Sequence, residues 1–310
     1  MKKFSPIDLK KVKTYPLKRR MSKVSLSDFG TPFKPGKSFK DFLSSLPGIL
    51  AAKDFKEVAD TIAKAYRKRK PIVLGMGAHP VKVGLNPIII DLMRRRIITA
   101  IAMNGAGIIH DFELASAGKT SEDVAESLIH GSFGMAEETG KILNQAIIKG
   151  VSKKIGIGES IGREILRGRY PYKDKSILAT GAKLNIPVTV HVAIGTDIIH
   201  MHPSADGSAI GEGSHIDFRT FTSVISQLEG GVYINLGSAV IMPEVFLKAL
   251  SIARNLLHKV KKFTTVNMDF IQHYRPSVNV LARPGGKGYA LTGHHEVMFP
   301  LLAAAVLERI

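Results

Sequence analysis

Apolar residues in this chain fall into two recurring patterns. From Asp54 to Lys70, Phe55, Val58, Ala59, Ile62, Ala63 and Tyr66 repeat at i, i+3, i+4 and i+7. That spacing predicts an amphipathic helix whose Lys/Arg-rich end suits the helix dipole. Short continuous apolar runs form the second pattern: residues 71–77, 97–104, 187–195, 231–237, 263–268 and 277–282. Continuous rather than alternating runs are expected of strands covered on both faces. Helical stretches separate most of them, including residues 83–96, entered near Pro87, and a series reaching about residue 184. The closing segment, 294–310, is a mostly apolar helix suited to packing against the sheet or a second subunit. Strand–helix alternation predicts an α/β fold: a doubly wound, mostly parallel, Rossmann-like sheet with right-handed crossovers. No internal repeat is present.

Composition refines this picture. The 310 residues are 45% hydrophobic and carry a formal net charge of +18. Residues 1–70 hold 19 Lys/Arg against 6 Asp/Glu; the remainder holds 25 against 20. The excess therefore belongs to the N-terminal quarter, where Pro6, Pro16, Pro32, Pro35 and Gly36 suggest a basic extended arm over residues 1–36. A single α/β domain over 37–310 would follow. No helix-turn-helix, RNP or zinc-finger pattern accompanies the arm, so a docking or subunit contact is favoured over nucleic acid. The absence of Cys excludes disulfides, zinc–thiolate sites and a cysteine nucleophile. No run matches a membrane span or a secretory h-region, so the expected location is cytoplasmic.

Candidate chemistry gathers where strand runs end. Gly77, the Asn104-Gly105-Ala106-Gly107 turn, and Gly237-Ser238 all follow such runs. Glycine there lets backbone N–H groups approach a pyrophosphate, although tight strand-to-helix turns also need it with no ligand present. Asp111 and Asp197, near strand ends, are candidates to hold a ribose. His200 and His202 form an H-x-H near Asp206, which could ligate a metal in a hydrolase or sit in an ordinary polar loop. Asp269, His273 and the His294-His295-Glu296 helix start form a later cluster, and His200, His202, His273, His294 and Glu296 are the candidate acid–base groups. One histidine of the pair could instead simply cap the helix.

Several of these motifs resemble deoxyhypusine synthase. The Asn104–Gly107 turn followed by His110-Asp111-Phe112-Glu113 is similar to that family's small-residue loop and acidic helix start. The strand ending in Thr196-Asp197, the Leu236-Gly237-Ser238-Ala239 strand end and the Val297–Leu302 helix also have counterparts in order and spacing. The resemblance covers about residues 70–310. It implies NAD as cofactor, a polyamine or related small amine as substrate, and a homotetramer. Gly105, Ala106, Gly107, Asp111, Asp197, Gly237 and Ser238 would line the NAD site, with His294 at its edge. Asp206, Glu244 and Asp269 are candidate substrate carboxylates. Laying residues 275–284 over the family's lysine-bearing strand puts Ser277 at the lysine position, and serine cannot form an imine. Lys287 is then the nearby candidate nucleophile, and Met242-Pro243-Glu244 stands where the family has a histidine. The expected protein is a divergent NAD-binding amine enzyme without true deoxyhypusine synthase activity. The alternatives are a metal-dependent hydrolase and a non-catalytic assembly protein on the same fold.

Overall fold

A computed structural model describes residues 4–310, which divide into two units at Lys53/Asp54. In the first unit, residues 4–38 contain only two short 3-10 turns, Leu17–Arg19 and Leu26–Asp28. Its one α-helix is α1 (Phe39–Ser45), started by a Ser38–Asp41 capping box and burying Leu43. The rings of Phe33, Phe39 and Phe42 cluster beside it, with centroids about 6 Å apart.

The second unit alternates strand and helix. In chain order the elements are α2 (Leu50–Arg67), β1 (Ile72–Met76), α3 (His79–Lys82), α4 (Asn86–Arg94), β2 (Ala100–Asn104), α5 (Gly105–Ala117), α6 (Val124–Ile129), α7 (Glu137–Val151), α8 (Ile157–Arg167), α9 (Ile177–Leu184), β3 (Val188–His191), α10 (Gly207–Ser226), β4 (Val232–Leu236), α11 (Ile241–Asn255), β5 (Thr264–Asp269), β6 (Lys287–Thr292) and α12 (His295–Leu307). All pairings are parallel, in the order β3-β2-β1-β4-β5-β6. This is the doubly wound order of a dinucleotide-binding sheet, whose direction of winding reverses between β1 and β4.

Burial on both faces explains the continuous apolar runs. One face presents Val73, Ala100, Ala102 and Tyr233 to Phe221, Ile225, Met242 and Phe246 of α10 and α11. Tyr233 stacks on Phe246 at 3.9 Å. Gly75 makes room for it, since a Cβ there would overlap the tyrosine hydroxyl. Leu74, Met76, Ile101 and Met103 point to the opposite face and are equally buried. No helix among the described residues is long and apolar enough to cross a membrane.

One expectation needs correction. Residues 277–282 are not a strand: Pro276–Ala282 is a short π-helical segment, and Pro276 suits its first turn. The sixth strand is β6, an edge strand in which only Tyr289 and Leu291 are buried. Its alternation and flanking glycines disguised it as a loop. The stretch 83–96 holds α4, entered at Pro87 as expected, and Gly84, at φ +80°, separates it from the single turn α3.

Candidate functional site

Parallel strands deliver their last residues to one edge of the sheet, and the winding reversal opens a crevice there. At the β1/β4 junction the backbones meet closely. The Gly77 N–H donates to the Leu236 carbonyl at 3.1 Å, and a Cβ on Gly77 would overlap the Gly237 carbonyl. Gly237 takes φ +63°, and its missing Cβ leaves space for the His295 ring, 2.6 Å from where that Cβ would lie. The Ser238 hydroxyl accepts from the Met242 N–H at 3.1 Å. The three residues thus come together, and their visible work is to let backbone, helix start and imidazole approach.

The β2 end is built differently. Asn104 caps α5 by accepting from the Gly107 N–H at 3.2 Å. Gly105 lies directly under the Asp197 carboxylate, and any side chain there would collide with it. Asp197 is buried, and its Oδ2 takes no hydrogen bond from the described residues. Burial pushes its pKa up to about 6. His200 faces it, Nε2 to Oδ2 4.0 Å, and that Nε2 is equally unpartnered. The His200 Nδ1 accepts from the Gly195 N–H at 3.1 Å, so its ring proton sits on Nε2, toward the carboxylate. Burial lowers the His200 pKa.

Asp197 borders a cleft of about 910 Å³ walled by α5, α7 and the loops at 116–124 and 196–198. On its α5 wall, Thr120 donates to Glu113 Oε2 at 2.5 Å and lies 2.6 Å from His110 Nδ1. Burial draws the Glu113 pKa upward, but the bonds and charge of His110, with those of Thr120 and Thr139, hold it below the usual glutamate value. Glu113, Glu122, Glu138 and Asp197 line the cleft against only Lys82 and Lys119. A chain of net charge +18 therefore encloses a locally acidic space.

Other candidates are placed elsewhere. Asp111 does not face the strand ends. It is fully buried and accepts from Asn86 Nδ2 (3.0 Å), Ser176 Oγ (2.5 Å) and the N–H groups of Ile177 (2.8 Å) and Leu178 (3.1 Å). Its four acceptor directions are spent tying α5 to the start of α9. Asp206 caps α10 through the Ala209 N–H. His202 bonds the Gly134 carbonyl at 2.8 Å and packs on Gly140. Glu244 pairs with Lys248 and Arg275 and accepts from Asn279. His273 is exposed, and its carbonyl accepts from the Ser277 hydroxyl. Lys287 opens β6, at the amino edge of the sheet, and pairs with Glu57 at 2.8 Å. At ~3.3 Å per residue the strand carries it roughly 16 Å from the end where Thr292 stands. The Glu57 hydrogen bond raises its pKa, which keeps it protonated and not nucleophilic. Among the described residues no group of three or more His, Asp or Glu is placed to hold a metal ion, so the hydrolase alternative has no supporting geometry.

One constellation was not anticipated. His79, two residues after Gly77, reaches His295 with the two Nδ1 atoms 2.8 Å apart. His295 Nε2 lies 3.5 Å from Asp269 Oδ1, at the end of β5. His295 and Asp269 are buried and His79 is exposed. His294, the exposed N-cap of α12, stacks on Phe270 and lies 4.0 Å from Glu296. Asp269, His294 and Glu296 thus share one corner of the edge, while His79 had only its position after a glycine-bearing strand end to mark it.

No protein-family model and no curated protein matches the chain. Solved structures do. A conserved protein provisionally assigned as LOR/SDH from Methanococcus maripaludis S2 superposes with a TM-score of 0.54 at 16% identity, over 95% of this chain and 76% of that one. A protein provisionally assigned as a deoxyhypusine synthase from Entamoeba histolytica gives 0.52 at 15% identity, over 90% and 96%. AgrE, solved with ornithine and NAD+, gives 0.50 at 12% identity over 83% of this chain, which spans about a third of AgrE's length. The chain carries a deoxyhypusine synthase-like, Rossmann-type α/β fold.

Proposed function

We propose that this chain is a divergent deoxyhypusine synthase-like enzyme that binds NAD at the carboxyl edge of its sheet and acts on a small amine. The observation that carries the reading is Asp197: a buried carboxylate with an unpartnered oxygen, pressed against the glycine that starts α5, at the mouth of an acidic cleft. Leaving a buried carboxylate oxygen unpaired costs stability, and a ligand hydroxyl or cation would satisfy it. The first N–H groups of α5, at Gly105 and Ala106, are suited to a pyrophosphate, and Asp197 to a ribose hydroxyl. NAD supplies the hydride-accepting ring when bound. The cleft carboxylates Glu113, Glu122 and Glu138 favour a cationic substrate over an anionic one. Superposition on AgrE, a protein solved with ornithine and NAD+, supports the same pairing of cofactor and amine.

Aminobutyl transfer to a protein lysine is not part of this reading. Ser277 lies on a helical segment, and Lys287 stands at the far edge of the sheet, so neither supplies the covalent step. The homotetramer implied by the resemblance stays part of the proposal, supported by the exposed Val124, Leu128 and Ile129 of α6. The test is calorimetric titration of the full chain with NAD. Binding in the micromolar range is expected, weakened at least ~10-fold (about 1.4 kcal/mol) by Asp197→Asn. Failure to bind millimolar NAD overturns the proposal.

A further inference from the structure

We propose that His79 is a general base at the carboxyl edge of β1, β4 and β5, positioned by the buried pair His295 and Asp269, and that it takes a proton from the amino group of a bound amine. Only the identity of the ligand rests on the proposed function; the relay itself stands on the geometry of this corner.

Three separate strand ends converge to build it. His79 follows β1, Asp269 ends β5, and His295 is the first residue of α12, just beyond β6. The 2.8 Å contact between the two Nδ1 atoms requires one shared proton: both cannot carry hydrogen, and both cannot lack it. Asp269 decides which ring donates. Its ionised carboxylate only accepts, and it lies at ion-pair range, 3.5 Å, from His295 Nε2, which makes no hydrogen bond with any other described residue. The proton of His295 therefore belongs on Nε2, and its Nδ1 is the acceptor. His79 then donates from Nδ1, which leaves its Nε2 as a bare lone pair. Because His79 is exposed, that lone pair can meet a ligand.

The remaining surroundings agree with this assignment. The charged groups facing His79 are Glu296 and Asp269 on the acidic side and Lys82 on the basic side, with the His295 ring beside it. Phe270 packs against both imidazoles, with centroids 6.2 and 5.9 Å away. Desolvation, then His295, lower the His79 pKa, so the ring is neutral and able to accept at neutral pH. Burial would raise the pKa of Asp269, but the contact and charge of His295, with the Phe270 N–H, bring it below the usual value. Asp269 is thus ionised when the relay is needed. Packing alone does not explain the arrangement. His295 is 1% exposed and sits over a glycine at φ +63° whose missing side chain makes room for the ring, where an aliphatic residue would fill the space without a polar atom to satisfy.

In the step itself, an N–H bond of the ligand breaks and a bond to His79 Nε2 forms. The ligand nitrogen keeps the electron pair. The resulting imidazolium retains its Nδ1–H bond to His295, and the charge of Asp269 stands behind it. His79 later releases the proton from Nε2 to water. His79 is the catalytic group in this scheme, and His295 and Asp269 are positioning residues.

The test is long-range 15N–1H NMR of the histidine-labelled full chain, with no ligand required. The expected result is the Nδ1–H tautomer at His79 and the Nε2–H tautomer at His295. In Asp269→Asn the His79 titration midpoint should fall, because a nearby opposite charge is lost. Carbethoxylation at His79 should slow at least ~3-fold, while exposed His258 provides an unchanged reference. The reverse tautomers, or Asp269→Asn leaving the His79 midpoint and reactivity unchanged, overturn the proposal. If Asp269→Asn does not fold, the wild-type tautomers alone decide. NAD binding measured on the same samples keeps the two proposals apart. A relay signature without NAD binding overturns the cofactor assignment only, and NAD binding with the reverse tautomers overturns the relay only.

Discussion

Asp111 offers the sharpest contrast between what a motif implies and what a structure does with it. By resemblance it would hold cofactor; by geometry it is an internal anchor. Replacing it with alanine removes the acceptor for four donors at once: the N–H groups of Ile177 and Leu178, the Asn86 amide and the Ser176 hydroxyl. The two N–H groups belong to the first turn of α9, where no intrahelical acceptor exists. Each buried donor left unpaired costs about 1–3 kcal/mol. The Ser176 hydroxyl can turn, and loss of a desolvated carboxylate, whose pKa burial pushes up to about 6, offsets part of the sum. A net loss of ~3–5 kcal/mol follows, at the upper end for a single substitution. For a unit of this size that corresponds to a melting-temperature drop on the order of 10 °C. Asp111→Asn keeps one acceptor oxygen but turns an amide donor toward other donors, and should fall between wild type and alanine. Urea denaturation followed by circular dichroism measures the loss, and NAD titration of the folded fraction measures the alternative. A stability change within about 0.5 kcal/mol together with lost NAD binding would refute the anchoring role and restore the cofactor one.

Two further predictions follow from groups outside the cleft. Lys287→Ala should leave NAD binding unchanged, and borohydride trapping with an amine and NAD should label wild type and variant alike; label confined to Lys287 in wild type would contradict its placement at the amino edge. Asp217 is buried against the N–H groups of Gly158 and Val190, and burial pushes its pKa up to about 7. Its folded form holds a proton more tightly than the unfolded chain. The stability it contributes is therefore complete below the ordinary aspartate value of 3.8 and is lost as pH rises through about 7. His191, pushed down to about 3 by burial, acts in the opposite sense, losing stability as pH falls from 6.5 toward 3. Comparing wild type with Asp217→Asn isolates the first effect. The variant should gain stability relative to wild type as pH rises from about 4 to about 7, and a difference that is constant with pH would count against the buried, proton-holding carboxyl.

Five of the six strands are legible in the sequence for one physical reason. Each of these strands, the edge strand β3 included, is buried on both faces, so its residues form a continuous apolar run. β6 escapes because it buries one face only and follows Gly285-Gly286. The same criterion then mistakes the apolar Pro276–Ala282 segment for the missing strand, and with it misplaces the position compared with the family's lysine. Asp197 and the Asn104–Gly107 turn are legible because sheet topology brings all strand ends to one edge. The His79–His295 contact is not, since 216 residues separate the partners and no local motif marks His79. Thr120 is silent for a similar reason: only the fold turns its hydroxyl between His110 and Glu113.

The two halves of the carboxyl edge are joined by α3. This single helical turn puts His79 at one end, against His295, and Lys82 at the other, in the wall of the acidic cleft. Residues three apart lie on the same helix face, and one turn rises only ~5.4 Å. The backbone positions of Lys82, in the cleft wall, and His79 are therefore within one helical turn of each other. Lys82 also matters electrostatically. It is one of the charges that lower the His79 pKa, and with Lys119 it is one of two cations facing four cleft carboxylates. Charges farther away than the Debye length of about 8 Å are largely screened at physiological salt. The field felt by a bound amine is consequently set by these few residues and not by the +18 of the whole chain. The cleft can favour a cation, and His79 can stay neutral enough to accept a proton, in a protein that is strongly basic overall.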